Sequence, residues 1–310
     1  MPGNTSPPVR DINRRPHVGA MDPLPFALVV TSAFSHASWN VLAKRGEDKE
    51  SFMWLMTFTS FFTLLPVFYF ILPDWRLPAS AVPYLAVSAV AETLYYVSLG
   101  RAYELGDLSV VYPLARSSPL FLTILAVALL GEHISAWGAT GIILILLGVY
   151  TIHLRSFSAD DLLLPLKSLR ERPSQLALLT ALWTTAYSLS DKVGVTKVNP
   201  IIYAFWLEAF ILVPMTMVIV YRRGWSAIAG EWRASRAQAT VAGFLMRFGY
   251  VLVLVAMSTV QVSYILALRQ LSVVLGAAAG VLLLGERYGR MRLLSSLIMF
   301  VGVYILAVLA

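Results

Sequence analysis

Ionisable side chains are rare in the long apolar stretches of this sequence, and each is a candidate for chemistry. Moving a charge to the centre of a lipid bilayer costs at least about 2.5–3.5 kcal/mol, so a charged residue kept there usually has a function. The set comprises His36, Glu92, Arg116, Asp191, Lys192, Glu208, Arg247 and Arg269, with Lys44 and Arg101 near the ends of stretches. These side chains could bind the charged groups of a small polar molecule, or pair with one another as buried ions.

Two polar stripes run along stretches that are otherwise apolar. His36, Asn40 and Lys44 repeat at every fourth position, so they share one face of a helix. The same spacing returns later in the chain, at Thr184, Ser188 and Lys192. A polar stripe faces protein or water, which predicts that His36, Asn40 and Ser188 line a substrate path. The alternative is hydrogen bonding between helices, with the lysines extended to the membrane interface.

A carboxylate and a guanidinium each lie beside a tyrosine in two further stretches. Glu92 shares a helix face with Tyr96, and Arg247 shares one with Tyr250. The internal repeat described below makes these stretches counterparts, so we predict a Glu92–Arg247 pair across a cavity. The pair could bind the ammonium and carboxylate of a zwitterion or act as a gate. A purely structural ion pair is the equal alternative.

Arg116 lies between Pro113 and Pro119, where missing backbone N–H groups free carbonyls and permit a bend. Arg269 occupies nearly the matching place in a later stretch. Two converging arginines favour an anionic group, because the planar guanidinium fork suits carboxylate and phosphate. Anchoring of each arginine to carbonyls at helix ends is the alternative. The predicted binding residues at this point are Tyr112, Arg116, Arg269 and Gln270.

The sequence lacks the motifs of common catalytic sites. It contains no cysteine, which excludes disulfides and cysteine-based zinc sites. It also contains no Walker loop, HExxH motif or glycine-rich dinucleotide turn. We therefore predict that the protein is not an enzyme and uses no metal or cofactor. His36 could titrate near neutral pH, and Glu208 could carry a proton or pair near Asp191 and Lys192.

The elements that must position these residues are membrane-spanning helices. Of 310 residues, 58% are hydrophobic and 13% are charged, whereas a soluble domain has roughly 45–50% and 25%. A span needs about 20 mostly apolar residues, and lipid admits only helices or closed barrels. Long unbroken apolar runs favour helices. Ten are predicted, at 24–44, 51–71, 80–100, 108–130, 136–154, 175–193, 200–221, 238–258, 261–284 and 293–310.

The remaining segments divide the chain. Residues 1–23 are polar and rich in proline and glycine, which predicts a disordered tail. Residues 155–174 form a linker between the halves 24–154 and 175–310, and part of it could lie on the membrane surface. The net charge of +7 suits lysine and arginine at helix ends. We therefore predict the lipid bilayer, and not nucleic acid, as the partner.

The two halves are similar in sequence. Blocks match in order: FMWLMTF (52–58) with AFWLEAF (204–210), LLGE (129–132) with LLGE (283–286), and Gly148-Val149-Tyr150 with Gly302-Val303-Tyr304. The counterpart of YPLARSSP (112–119) reads LALRQLSV (266–273), without either proline. Five spans in each half send the second half into the membrane from the opposite side, which is an inverted-topology repeat.

Three motifs resemble the EamA family of the drug/metabolite transporter superfamily: HASWNVLAKRG (36–46), GDLSVVYPLARSSPLFLTILAVALLGE (106–132) and LLGE (283–286). The resemblance covers nearly all of residues 24–310. It implies an all-α integral membrane protein of ten transmembrane helices in a 5+5 inverted repeat. The first, third and fourth helices of each half would line a central cavity. The implied function is a secondary transporter that exports a small-molecule substrate, such as an amino acid or organic anion.

Several alternatives stay open at this stage. Arg116 and Arg269 could instead hold the phosphate of a lipid carrier in a flippase. The GxxxG motif at 276–280 favours close helix packing within the bundle, with a homodimer as the alternative. A bacterial inner membrane is the predicted location. Positive charges in the odd-numbered loops place both termini outside, whereas the family and the basic tail place them in the cytoplasm.

Overall fold

The structure is a computed structural model that describes residues 21–43, 46–71, 74–106, 108–152, 154, 158–275 and 290–310. Four sequence predictions fall outside these ranges: the tail at 1–20, Lys44, the GxxxG motif at 276–280 and the second LLGE at 283–286. The homodimer therefore stays a prediction. Met21, at the end of the predicted tail, is described, and its N–H donates to the Ala307 carbonyl at 2.9 Å.

Every regular element in the described ranges is helical. The helices are α1 (Pro23–Ala43), α2 (Lys49–Ile71), α3 (Val82–Leu105), α4 (Leu108–Ala115), α5 (Ser118–Leu130), α6 (Ala136–Thr151), α7 (Ala159–Lys167), α8 (Arg172–Lys197), α9 (Pro200–Met257), α10 (Val262–Arg269) and α11 (Arg290–Val308). Short 3₁₀ turns precede α3 and follow α7, at Ala79–Ala81 and Ser168–Arg170. The predicted linker thus contains the short helix α7, whose leucines are partly exposed.

Length and hydropathy mark five helical segments as able to cross a membrane: Pro23–Ala43, Lys49–Phe70, Ala79–Leu105, Val110–Leu130 and Pro200–Met257. Ala136–Thr151, Val262–Leu275 and Arg292–Val308 are apolar but shorter. α8 is long but rich in serine and threonine, because much of its surface packs inside the bundle. In the described ranges, α1, α2, α3, α4 and α6 of the first half correspond in order to α8, the first and last parts of α9, α10 and α11 of the second half.

α9 merges two predicted spans and the connection between them. A straight helix of 58 residues would be about 87 Å long at 1.5 Å per residue, far more than a bilayer core. α9 instead kinks at Gly224 (φ 76°) and Ser235 (φ −136°). Gly224 lies in the left-handed region that favours glycine. The connection between the predicted spans 200–221 and 238–258 is therefore helical between these two kinks.

The halves interdigitate. α1 and α2 pack on α9, α3 packs on α8, and α6 packs on α11. At one end, Arg222 binds Glu50 through two hydrogen bonds of 2.6 and 3.1 Å. At the other end, the Trp206 indole donates to the Trp75 carbonyl at 3.0 Å. α2 and the first part of α9 therefore run antiparallel.

The contact between α6 and α11 reproduces the register of the sequence repeat. A side chain at Gly148 would lie 2.7 Å from the Ser295 carbonyl oxygen. A side chain at Gly302 would lie 2.8 Å from the Gly141 carbonyl oxygen. The repeat pairs Gly148 with Gly302, and the same shift pairs Gly141 with Ser295, so these two contacts are equivalent. The last helix of each half meets its counterpart at two close backbone approaches.

This close packing predicts that one added methyl group at the α6–α11 contact lowers the stability of the protein. We expect Gly148→Ala to destabilise the protein by about 1–3 kcal/mol, because the methyl overpacks a backbone contact. Gly100→Ala is the matched control, since a side chain there meets nothing within 4 Å. Unfolding of both purified variants in mixed detergent, followed by tryptophan fluorescence, measures the difference. Equal stability of the two variants would contradict the close α6–α11 packing.

Glu132 of the first LLGE motif has a structural role. Its carboxylate accepts hydrogen bonds from the Val262 N–H at 2.7 Å and from the Ser263 hydroxyl at 2.6 Å. These groups form the N-terminus of α10, where exposed N–H groups favour an anion. The motif thus fixes the start of a helix in the opposite half.

Candidate functional site

A cavity lies between the halves and consists of two adjoining chambers. The chambers share His36, Tyr95, Tyr187 and Arg269. Their walls come from α1, α3, the α4–α5 junction, α8, the end of α9, and α10. These are the first, third and fourth helices of each half, the set that the family resemblance implied.

The first chamber contains Arg116 and Arg269 at two matching helix breaks. α4 ends just before Arg116, and Pro119 in the first turn of α5 provides no N–H to continue the helix. α10 ends at Arg269, where the Ser272 hydroxyl donates to the Arg269 carbonyl at 2.8 Å. The bend at Arg116 was predicted from its prolines. The second break has no proline, and sequence reasoning missed it.

The charges of these two arginines are not neutralised by ion pairs. Throughout the described ranges, no carboxylate lies within 4.0 Å of either guanidinium. Arg116 and Arg269 instead lie over tyrosine rings, each 5.4 Å from a ring centroid, at Tyr112 and Tyr250 respectively. Gln270 also lines this chamber, and its buried carbonyl oxygen accepts no hydrogen bond from any described residue. The first chamber is therefore a positively charged pole.

The second chamber contains Glu92. This carboxylate is only 7% exposed, yet no described residue gives it a hydrogen bond or an ion pair. His36 lines the same chamber, and its Nε2 atom is buried without a partner among the described groups. The second chamber therefore presents a buried carboxyl group that has no hydrogen-bond or ion-pair partner among the described residues, and Arg269 lines this chamber as well.

Glu92 and Arg247 both line the second chamber, but they form no ion pair with each other, so the structural ion pair is wrong. The Arg247 guanidinium pairs with Glu208, and the Ser60 hydroxyl donates to the other oxygen of that carboxylate. Two further nitrogens of Arg247, Nε and Nη1, are buried without partners in the described structure. Glu208 thus has a pairing role, but its partner is Arg247 and not Lys192.

Aromatic side chains form much of the wall. Tyr96 and Tyr250 line the second chamber, as predicted, together with Trp39. Tyr95 and Tyr187 line both chambers and were missed. On α8 the lining residues are Thr180, Thr184 and Tyr187, whose spacing of four then three follows a turn of 3.6 residues. That spacing was the signal in the sequence that would have found Tyr187.

The geometry of the polar stripes explains why some of the predicted binding residues do not line the cavity. A strict spacing of four winds slowly around a helix, so only the first member of each stripe, His36 or Thr184, reaches the cavity. Asn40 donates back to the His36 carbonyl at 2.7 Å. Ser188 is fully buried outside the lining. Lys192 caps the end of α9 through the Met257 and Val260 carbonyls, at 2.6 and 2.7 Å.

Tyr112 is the remaining predicted binding residue. It is partly buried and does not line either chamber, but its ring supports the Arg116 guanidinium. It therefore positions a lining residue. Of the eleven predicted residues, the cavity brings together His36, Glu92, Tyr96, Arg116, Arg247, Tyr250, Arg269 and Gln270.

An all-helical chain of two similar halves around a central polar cavity defines a class of membrane proteins, and comparison with known proteins gives the family. The sequence profile of the EamA-like transporter family matches residues 24–154 and 174–308, one match in each half. The chain belongs to this family and is a multi-pass membrane protein.

The structure also has relatives among solved structures. Matches extend to 29 chains. One, described only as the crystal structure of a protein, has a TM-score of 0.70 at 14% identity and covers 93% of this chain and 98% of its own. Likeness at this identity shows the fold alone. No curated protein sequence matches the chain.

Proposed function

We propose that this protein is a secondary transporter of a small amphoteric metabolite, with amino acids as the first substrate class to test. One observation carries the proposal: a single cavity holds two guanidinium groups and one carboxyl group that form no ion pair with any described residue. Arg116 lines the first chamber, Glu92 lines the second, and Arg269 lines both. Buried charges are costly unless they are paired, and a substrate with both signs of charge would pair them.

The chemistry of each pole suggests which part of the substrate it binds. The guanidinium forks of Arg116 and Arg269 suit a carboxylate. The N-terminus of α5 at Ser118 reaches the same chamber and adds the positive end of a helix dipole. Glu92 suits an ammonium group. An organic anion would use the arginine pole alone and leave Glu92 unpaired, so it is the weaker proposal.

Alternating access between two inverted halves is the proposed mechanism. Ten membrane crossings follow if α9 crosses twice, α4 and α5 cross once together, and the shorter helices cross with the rest. The antiparallel course of α2 and the first part of α9 supports opposite orientations of the halves. Inverted repeats place substrate sites at the interface between halves, where this cavity lies. Export, and location in a bacterial inner membrane, are proposed from the family resemblance.

Binding of individual amino acids to the purified protein tests this function. We expect alanine, phenylalanine, glutamate or lysine to raise the thermal unfolding temperature of the parent, and the Glu92→Gln variant to lose much of that shift. An analogue of the most strongly stabilising amino acid that lacks its amino group should bind the parent weakly. Its binding should not change in the Glu92→Gln variant. Radiolabelled uptake into proteoliposomes then measures transport.

Two results would contradict the proposal. Failure of every amino acid to stabilise the protein or to enter proteoliposomes would remove the substrate class. Stabilisation by undecaprenyl phosphate alone would favour the lipid flippase instead. Arg101→Gln serves as a control throughout, because Arg101 is half exposed and pairs with Glu104 at 3.5 Å, away from the cavity.

A further inference from the structure

Asp191 is a carboxylate that the proposed substrate site does not use. It is fully buried in α8 and does not line either chamber. Its Oδ1 atom accepts hydrogen bonds from the Ser88 hydroxyl and, at 2.8 Å, from the Tyr203 hydroxyl. Its Oδ2 atom accepts one from the Tyr250 hydroxyl. Three helical segments thus converge on one carboxylate.

No cation in the described part of the chain forms an ion pair with Asp191. Lys192, the next residue, is committed to two carbonyls at the end of α9. The titratable and charged groups around Asp191 are Tyr187 and Lys192 of α8, Glu92 of α3, Tyr203, Arg247 and Tyr250 of α9, and Arg269 of α10. Every hydrogen-bond donor to the carboxylate among the described residues is therefore a hydroxyl group.

Hydroxyl partners allow two protonation states, whereas an arginine partner allows one. A hydroxyl can donate to a carboxylate and can accept from a carboxylic acid, but a guanidinium can only donate. Glu208, paired with Arg247, is therefore fixed as an anion. Asp191 can accept a proton from a hydronium ion, which leaves as water, form an O–H bond at one oxygen, and donate that hydrogen to a neighbouring hydroxyl. Release returns the proton to water.

Tyr250 connects this carboxylate to the cavity. Its hydroxyl contacts Asp191, while its ring lines the second chamber. Arg247 and Arg269 lie over that ring, with Cζ atoms 5.5 and 5.4 Å from its centroid. When the proton lies on Oδ2 of Asp191, the Tyr250 hydroxyl accepts a hydrogen bond instead of donating one, and its own hydrogen turns elsewhere. The charge state of Asp191 thus reaches the substrate site through one side chain.

Asp191 also joins the two halves. Ser88 belongs to the first half, and Asp191, Tyr203 and Tyr250 belong to the second. Hydrogen bonds to a carboxylate are stronger than those to a neutral group. Protonation would therefore weaken the contact between α3 and the second half, which is the contact that alternating access must change.

We infer that Asp191 is the proton-binding carboxyl of the transport cycle and that Tyr250 relays its state to the cavity. The inference rests on the proposed transport function for its role, but proton binding can be measured without a substrate. Infrared difference spectra of the purified protein between low and high pH report the carbonyl stretch of protonated carboxyl groups. We expect a titrating band that Asp191→Asn removes and that Glu92→Gln and Glu208→Gln leave in place.

Asp191→Asn retains the size and an acceptor oxygen of the original side chain, and gel filtration checks its folding. Tyr250→Phe is the second variant, since it keeps Asp191 but removes one hydrogen bond, and it should shift the midpoint of the band. Persistence of the band in Asp191→Asn, its loss in Glu92→Gln, or a parent spectrum with no titrating band would each overturn the inference.

Transport provides a separate measurement in proteoliposomes loaded with the amino acid that binds best. We expect Asp191→Asn to lose uptake driven by a pH gradient and to retain exchange of labelled for unlabelled amino acid. Gradient-driven uptake at the parent rate would overturn the inference. Absence of both activities in the parent would contradict the proposed function, while the infrared result would still decide whether Asp191 binds a proton.

Discussion

Replacement of Arg247 by methionine is expected to destabilise the protein by about 3–5 kcal/mol, because breaking a buried ion pair leaves an uncompensated charge. Both partners are almost inaccessible, Arg247 at 3% and Glu208 at 1% exposure. Without Arg247, the Glu208 carboxylate would keep only the Ser60 hydroxyl as a partner among the described residues. One hydroxyl does not compensate a buried charge in a membrane protein.

The double variant Arg247→Met/Glu208→Met is the matched control. Buried ion pairs can often be replaced by apolar residues of similar volume at little cost. We therefore expect the double variant to unfold at a detergent composition close to that of the parent, while each single variant unfolds much earlier. Equal unfolding of the parent and Arg247→Met would contradict the ion pair. The double variant should still lose transport, because Arg247 lines the cavity.

The sequence could predict the helices and the repeat because both depend on local composition. α1 and α2 begin and end within a few residues of their predicted bounds, since a span in lipid needs a minimum length of apolar chain. The sequence match of Gly148 with Gly302 corresponds to two equivalent contacts between α6 and α11. The helical course of the connection at 222–237 was not predicted, because this segment is not a long apolar run.

The partners of buried charges could not be predicted in the same way. Arg247 and Glu208 belong to different parts of α9, and their contact depends on how this helix folds back at Gly224 and Ser235. The choice of Glu208 over Glu92 is set by tertiary packing. The three donors to Asp191 come from separate helical segments, so no spacing along the chain indicates them.

The second large effect concerns the arginine pole. We expect Arg116→Gln and Arg269→Gln each to weaken amino acid binding by roughly tenfold to a hundredfold, because a hydrogen bond to a charged group contributes about 1.5–3 kcal/mol. Both side chains line the first chamber without a carboxylate partner in the described structure. Removal of either therefore costs a substrate contact and breaks no ion pair that the described residues form.

A lysine variant separates the contribution of the positive charge from that of the guanidinium geometry. Arg116→Lys keeps the positive charge but loses the planar fork that binds a carboxylate through two hydrogen bonds. We expect binding between that of the parent and that of Arg116→Gln, measured as the concentration of amino acid that gives half of the thermal shift. The amide of the same amino acid lacks the carboxylate, so the arginine variants should bind it as weakly as the parent does. Parent-like binding by both glutamine variants would show that the substrate carboxylate lies elsewhere, and it would leave Glu92 as the one charged contact to test.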